Sequence, residues 1–275
     1  MPELPEVETV VKSISKNLIG KSFSSISLMY PRALDNFNVK DFNRNVKGEI
    51  IKKIFRRAKY IIIATGHSII AIHLRMTGKL YICKIKDIPN KKHLSVILYL
   101  DNEICLIFED TRRFGRFYLF NNMDYLNRKL GIEPINNKEF TESWLLNNIL
   151  TYNRQIKALL FDQSFICGLG NIYIDEALWY AGIHPLSKSS MIPSYKIKKL
   201  HKGIIQILRN SIKAGGTTIR DYTYDYSYVG NYKINLNVFG RDNEKCNRCK
   251  SIIIKIKVMQ RGTHLCPRCQ IMPND

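Results

Sequence analysis

Four cysteines near the end of the chain carry the clearest chemistry. Cys246 and Cys249 enclose two residues, Cys266 and Cys269 enclose two more, and sixteen residues separate the pairs. A two-residue gap lets both thiolates of a pair reach one ion from a tight turn, and four thiolates in a tetrahedron suit zinc. A complete cysteine set leaves no open coordination position, so the expected ion is structural and supplies folding energy to a small module. Between the pairs, IIIKIKVM alternates apolar and polar residues, and Arg261 and Gly262 read as a turn. The module is therefore expected to be a β-hairpin finger with Arg261 at its tip, where a side chain can reach a phosphate. Residues 241–269 hold eight Lys/Arg against two acids.

Two further stretches bear chemistry-capable residues. The chain opens MPELPEVETVV. Pro5 suits the first turn of a helix, and Glu6 and Glu8 suit the positive end of its dipole. That reading leaves Pro2 and Glu3, ahead of the helix, without a task. Gly168, Leu169, Gly170 and Asn171 precede a helical stretch. Glycines at a helix entry allow close backbone approach, and the unpaired amides there attract phosphate, although such a turn is also found as a plain loop.

The chain has 275 residues, 45% of them hydrophobic, and a formal net charge of +20. Residues 51–100 carry eleven Lys/Arg and one acid, Asp87. A solubilising face normally mixes both signs, so this balance points to a polyanion, with nucleic acid the usual one. No window has the ~20 apolar residues of a membrane span, and the acidic start does not resemble a signal peptide. Seven cysteines, an odd number, argue against a disulfide framework; Cys83, Cys105 and Cys167 stand singly in apolar contexts and read as buried, reduced thiols.

The elements that must position these residues fall into three blocks. After a helix over about 6–18, short β-rich runs follow one another (FSSISLMY, IIKKIFRRAKYIIIAT, SIIAIHLR, KLYICKI, LSVILYL, EICLIFED, RFYLF) with no helix between them. That spacing predicts a sandwich or barrel. From about residue 140 to 214 apolar residues recur at three- and four-residue steps, predicting helices that stop at Gly182 and at Gly215 and Gly216. Residues 222–235, rich in tyrosine and turn formers, read as a loop before the cysteine module.

PELPEVET at the start, HLRMTGKL at 73–80, EDTRRFG at 109–115, DQSFICGLGNIYIDEALWYAGIHP at 162–185, GGTTIRDY at 215–222 and QRGTHLCPRCQ at 260–270 resemble, in order, the bacterial formamidopyrimidine-DNA glycosylase family. The resemblance spans nearly the whole chain. It implies an α+β fold: an N-terminal β-sandwich with flanking helices over 1–133, a helix–two-turns–helix domain over 134–222, and a lesion-capping loop with a zinc finger β-hairpin over 223–275. It also implies base excision repair of damaged double-stranded DNA, with oxidised purines as substrates, one zinc ion, no membrane, a monomeric state and a cytoplasmic, nucleoid-associated location. The endonuclease VIII branch, which acts on oxidised pyrimidines, shares the domain plan but usually differs after the proline. A non-catalytic zinc-bearing DNA-binding protein is the rival from another class.

The resemblance gives Pro2 and Glu3 a task. Methionine before a small residue is normally removed, leaving the Pro2 amine to attack the sugar C1′ of a damaged nucleotide. An α-amine has a reference pKa near 8 against about 10.4 for lysine, so far more of it is free base at neutral pH. Glu3 would be the proton donor to the opening sugar, Glu6 its support. Lys59, otherwise one surface cation among eleven, matches the family lysine of β-elimination. Arg261 matches the finger arginine of δ-elimination, or serves as a phosphate contact only. Met76, Arg112 and Phe114, which could equally include core residues, match the trio that fills the void left by an extruded base. His73, Arg75, His93, Arg113, Lys157 and Asn171 match phosphate contacts. The finger tip VMQRGTH and Phe239, where the family commonly has tyrosine, depart from the pattern.

Overall fold

Apolar residues at three- and four-residue steps, Val7, Val10, Val11, Ile14 and Leu18, give the first helix one buried stripe. In the computed structural model, which describes residues 1–90, 92–135, 138–217 and 232–272, this helix, α1, spans Leu4–Leu18. It starts two residues earlier than expected because Glu3 serves as its N-cap. The chain divides into two compact units, Met1–Arg128 with Ala214–Asn231, and Lys129–Lys213 with Tyr232–Asp275.

The first unit is the expected sandwich. β1 (Phe23–Leu28), β6 (Leu94–Leu100), β7 (Ile104–Asp110) and β5 (Gly78–Lys84) form one sheet in the order β1-β6-β7-β5. β2 (Lys53–Arg57), β3 (Tyr60–Ala64), β4 (Ile69–His73) and β8 (Arg116–Phe120) form the other in the order β2-β3-β4-β8. All pairings in both sheets are antiparallel. Alternate residues of each sheet face inward, among them Ile61, Ile63, Ile70 and Ile72 from one and Val96, Leu98, Leu106 and Phe108 from the other. The α1 stripe packs into this same core. The unbroken run over residues 50–65 splits at Ala58 (φ +52°) and Lys59 into the β2–β3 hairpin. Two short helices add to the sequence reading, α2 (Val39–Asn45), capped by Asn38, and α3 (Asp124–Lys129).

Two of the expected single cysteines are a pair. Cys83 and Cys105 lie directly opposite each other on β5 and β7, their sulfurs 3.5 Å apart and reduced. Alternation along two strands distant in sequence brings them together, which inspection of either strand alone does not reveal.

The second unit holds the helices α4 (Glu142–Ile149), α5 (Ile156–Phe161), α6 (Asn171–Ala181) and α7 (Ser194–Lys213), then the hairpin β9 (Ile254–Val258) and β10 (Arg261–Leu265). Thr141 caps α4, its hydroxyl accepting from the Trp144 amide. Gly182 (φ +67°) ends α6 as expected, since only glycine takes that conformation without strain. The hairpin turn falls on Met259 and Gln260 (φ +50° and +59°), and Arg261 is the first residue of β10, paired with Val258. This corrects the expected turn at Arg261 and Gly262: two consecutive positive φ angles make the tight turn whose twist suits a hairpin, here without glycine. Of the Tyr-rich segment, Tyr232–Asn235 forms a 3-10 turn; residues 222–231 lie outside the described residues.

One ring organises two loops of the sandwich. The Phe108 ring lies against both Gly78 and Gly115, so that a Cβ on Gly78 would stand 2.8 Å from it and one on Gly115 closer still. Gly115→Ala is therefore expected to overpack the core and destabilise the protein by roughly 1–3 kcal/mol. Thermal melting against wild type checks it, and an unchanged midpoint would show that the ring yields.

Candidate active site and metal centre

The start of the chain is held on every side. Residues 2–7 are all buried. Glu6 Oε2 accepts the Glu3 amide at 2.8 Å, closing a capping box at the head of α1. Glu6 Oε1 accepts the Thr217 amide at 2.7 Å, so one carboxylate ties the head of the helix to the segment after α7 that belongs to the same unit. Helix capping and support of Glu3 are thus one arrangement.

Lys59 is 4% exposed and no surface cation. Its turn is pinned by Arg56, whose guanidinium donates to the Ala58 carbonyl at 3.0 Å and to Glu8 Oε2 on α1 at 3.0 Å. The Glu8 and Arg56 bridge thus fixes the lysine turn against the helix that carries Glu3. His73 is buried nearby at the end of β4, with Tyr60 edge-on 4.7 Å from its ring. Burial, with Arg75 and Lys59 adding repulsion, lowers its pKa to about 3, so the imidazole is neutral at physiological pH. Its Nδ1 accepts the Arg75 amide at 3.0 Å, which leaves Nε2 as the ring donor.

Met76, Arg112 and Phe114 project from the β4–β5 and β7–β8 loops, with Met76 40% and Phe114 48% exposed. They are not core residues. Asp110, absent from the sequence reading of the site, binds the two loops together. Its Oδ1 accepts the Thr77 hydroxyl at 2.5 Å and the Arg112 amide at 3.2 Å, and its Oδ2 accepts the Gly115 amide at 2.7 Å. The Arg112 guanidinium lies over the Phe114 ring at 5.0 Å, and that of Arg113 over Tyr30 at 5.1 Å. Arg75 is exposed; His93 is half-buried, its carbonyl accepting the Asp110 amide at 2.9 Å.

In the second unit, Gln163 shapes the glycine turn, accepting the Gly168 amide and donating to the carbonyls of Phe161 and Leu169. Asn171 opens α6 and donates to the Gly262 carbonyl of β10 at 2.8 Å. Arg261 is exposed, its guanidinium 4.2 Å from the Phe161 ring centre. Lys157 differs from the expected phosphate contact. Its ammonium is 1% exposed and donates to Asp175 Oδ1 at 2.6 Å and Thr263 Oγ1 at 2.7 Å. A buried cation needs a buried partner, and Asp175 lies one helix away in space yet eighteen residues away in sequence.

The four cysteine sulfurs lie within 4.8 Å of one another, with Cys246 to Cys269 at 4.0 Å and Cys249 to Cys266 at 3.4 Å. Tetrahedral bonds of ~2.3 Å place sulfurs about 3.8 Å apart, so the donor set fits one structural Zn2+. The centre is anchored to α6 and its end. Arg248 covers the Trp179 ring at 4.1 Å, Gln270 joins the Cys266 amide to the Ile183 carbonyl, and Glu176 accepts the amides of Asn237, Val238 and Phe239. Burial raises the Glu176 pKa, against those amide bonds. Phe239, without a hydroxyl, packs edge-on against His264.

A two-sheet sandwich, a helical module and a four-sulfur hairpin define a DNA glycosylase of the helix–two-turns–helix, zinc-finger class. Residues 1–117 match the formamidopyrimidine-DNA glycosylase N-terminal domain, residues 130–223 the formamidopyrimidine-DNA glycosylase H2TH domain, and residues 243–271 the zinc finger found in FPG and IleRS. Formamidopyrimidine-DNA glycosylases of Streptococcus pyogenes and Herpetosiphon aurantiacus are 38% and 40% identical over 274 residues, 98% of this chain and 98% and 100% of theirs. A Lactococcus lactis Fpg variant in complex with Fapy-dG-containing DNA superposes with a TM-score of 0.91 at 37% identity, covering 98% of this chain and all of that one. The L. lactis Fpg complex with abasic-site DNA gives 0.90 at 37% identity, covering 98% and 99%. The chain belongs to the formamidopyrimidine-DNA glycosylase family. No helix among the described residues is long and apolar enough to cross a membrane.

The depressed His73 pKa has a measurable sign. Between pH 6.5 and about 3 the unfolded chain binds a proton at this site that the folded chain does not, so the group makes stability fall as pH falls, by up to ~1.4 kcal/mol per pH unit. His73→Asn should flatten the decline in melting temperature from pH 7 to 4. An unchanged slope would mean that the ring protonates in the folded protein.

Proposed function

We propose that this chain is a bifunctional DNA glycosylase and AP lyase that removes oxidised purines, 8-oxoguanine and formamidopyrimidines, from duplex DNA. The observation that carries the reading is the unbroken burial of residues 2–7, which gives a chain end the fixed placement of a catalytic group. With Met1 removed, the Pro2 nitrogen forms a bond to C1′ as the bond to the base breaks, the base keeping the electron pair. Glu3 gives a proton to O4′ as the C1′–O4′ bond opens, and the resulting iminium is an electron sink. Loss of a C2′ proton then expels the 3′ phosphate, and a second elimination expels the 5′ phosphate.

Lys59 serves the first elimination, its burial beside α1 supporting a defined position rather than a solvated one. Arg261 grips phosphate and serves the second. His73, Arg75, His93, Arg113 and Asn171 are the phosphate contacts; the neutral His73 would act through its Nε2–H. Met76, Arg112 and Phe114 fill the void, and Asp110 holds their loops. The protruding Met76 and Phe114 support that role, since apolar wedges act only where they can enter a stack. Lys157 supports the finger from within. Every group lies on one chain, which favours action as a monomer, and the +20 charge favours residence on the cytoplasmic nucleoid.

Borohydride added during turnover of an 8-oxoguanine·C duplex is expected to leave a covalent protein–DNA adduct. Pro2→Gly should cut that adduct on the order of tenfold or more. Preference for a thymine-glycol duplex would move the assignment to oxidised pyrimidines, and absence of any adduct would make the protein a binder.

A further inference from the structure

Three consecutive residues of β10, those directly after Arg261, are each held by the helical module. The Gly262 carbonyl accepts from Asn171, the Thr263 hydroxyl accepts from Lys157, and the His264 amide donates to Asp175 Oδ2 at 2.9 Å. Thr263 Oγ1 donates in turn to the Arg261 carbonyl at 3.1 Å. The helical supports come as two pairs at i, i+4 spacing, the separation that puts side chains on one face. Asn171 and Asp175 lie on α6. Lys157, which reaches Thr263, and Phe161, which lies under the Arg261 guanidinium, lie on α5.

Asp175 joins the two pairs. It is fully buried; Oδ1 takes the Lys157 ammonium and Oδ2 takes the backbone of β10. Two more charge-capable contacts adjoin, with His264 Nδ1 at 3.6 Å from Asp175 and His264 Nε2 at 3.2 Å from Asp242. A carboxylate with both oxygens engaged in a dry site fixes geometry tightly, because any displacement leaves a buried charge uncompensated. We propose that Asp175 is a positioning residue for Arg261, setting the course of β10 so that the guanidinium meets its phosphate during the second elimination. The inference rests on the role given to Arg261 above.

The test uses full-length zinc-loaded protein on a duplex with a preformed abasic site, which bypasses base release. A sequencing gel separates strands ending in 3′-phosphate, the product of both eliminations, from strands ending in the unsaturated aldehyde of the first alone. Borohydride trapping and zinc content are read in parallel. Asp175→Asn should lower the ratio of double to single elimination by about tenfold, and trapping by much less. Thr263→Val, which removes one hydroxyl and keeps the ion pair, should shift the ratio in the same direction by a smaller factor, and it decides the matter if Asp175→Asn does not retain zinc. Arg261→Gln is the reference. If it shifts the ratio while the other two variants match wild type, the positioning role is overturned and the arginine's role stands. An unshifted ratio in Arg261→Gln removes the arginine's role and the inference with it. Equal loss of trapping and of both products in zinc-loaded Asp175→Asn would also overturn the inference.

Discussion

A chain end is ordinarily the loosest part of a fold, and the constraint behind this structure is that its amino terminus is not. Residues 2–7 are buried in sequence, without the alternation that a surface helix would show. To seat them, α1 carries an apolar stripe into the sandwich core, and Glu6 uses both carboxylate oxygens on backbone amides. The Glu8 and Arg56 bridge extends the same fixation to the turn that bears Lys59. The head of α1 and the turn that bears Lys59 thus share one frame, and their side chains are pre-organised before anything binds.

The second unit solves a related problem with buried acids. A finger closed by zinc is stable locally, yet its hairpin must also keep a fixed orientation. α6 meets that need from within: nine of its eleven residues are buried, including the adjacent Asp175 and Glu176. Asp175 holds β10 and Lys157, and Glu176 collects the amides of Asn237, Val238 and Phe239 leading into the cysteine module. Zinc fixes the internal geometry of the finger, and the acids fix its attachment to the helical module. Removing either acid would strand a buried cation or a set of amides, a larger penalty than the loss of one surface ion pair.

Legibility in the sequence followed the range of the signal. Spacing within a few residues revealed the zinc set, the glycine stop at Gly182 and the strands, because each depends on local geometry. Motif resemblance proposed roles for Pro2, Glu3 and Lys59, which composition would have left as ordinary residues. Signals that depend on distant partners were lost. A neighbouring Asp and Glu in a helix look solvent-facing until a lysine and three amides are seen to meet them. Lys157, which the resemblance matched to a phosphate contact, is likewise met by an acid distant in sequence. Asp110 gave no sign of bridging two loops, and Gly262 drew the hairpin turn two residues away from Met259 and Gln260, because glycine is the usual mark of positive φ.

The shared seat of Gly78 and Gly115 on one aromatic ring has a mechanical corollary. The loops bearing Met76 and Phe114 rest on the same Phe108 and are strapped by the same Asp110. Neither loop can tilt while the other stays level. The two loops behave as the prongs of one fork, and a push on one prong loads the other through a phenyl fulcrum.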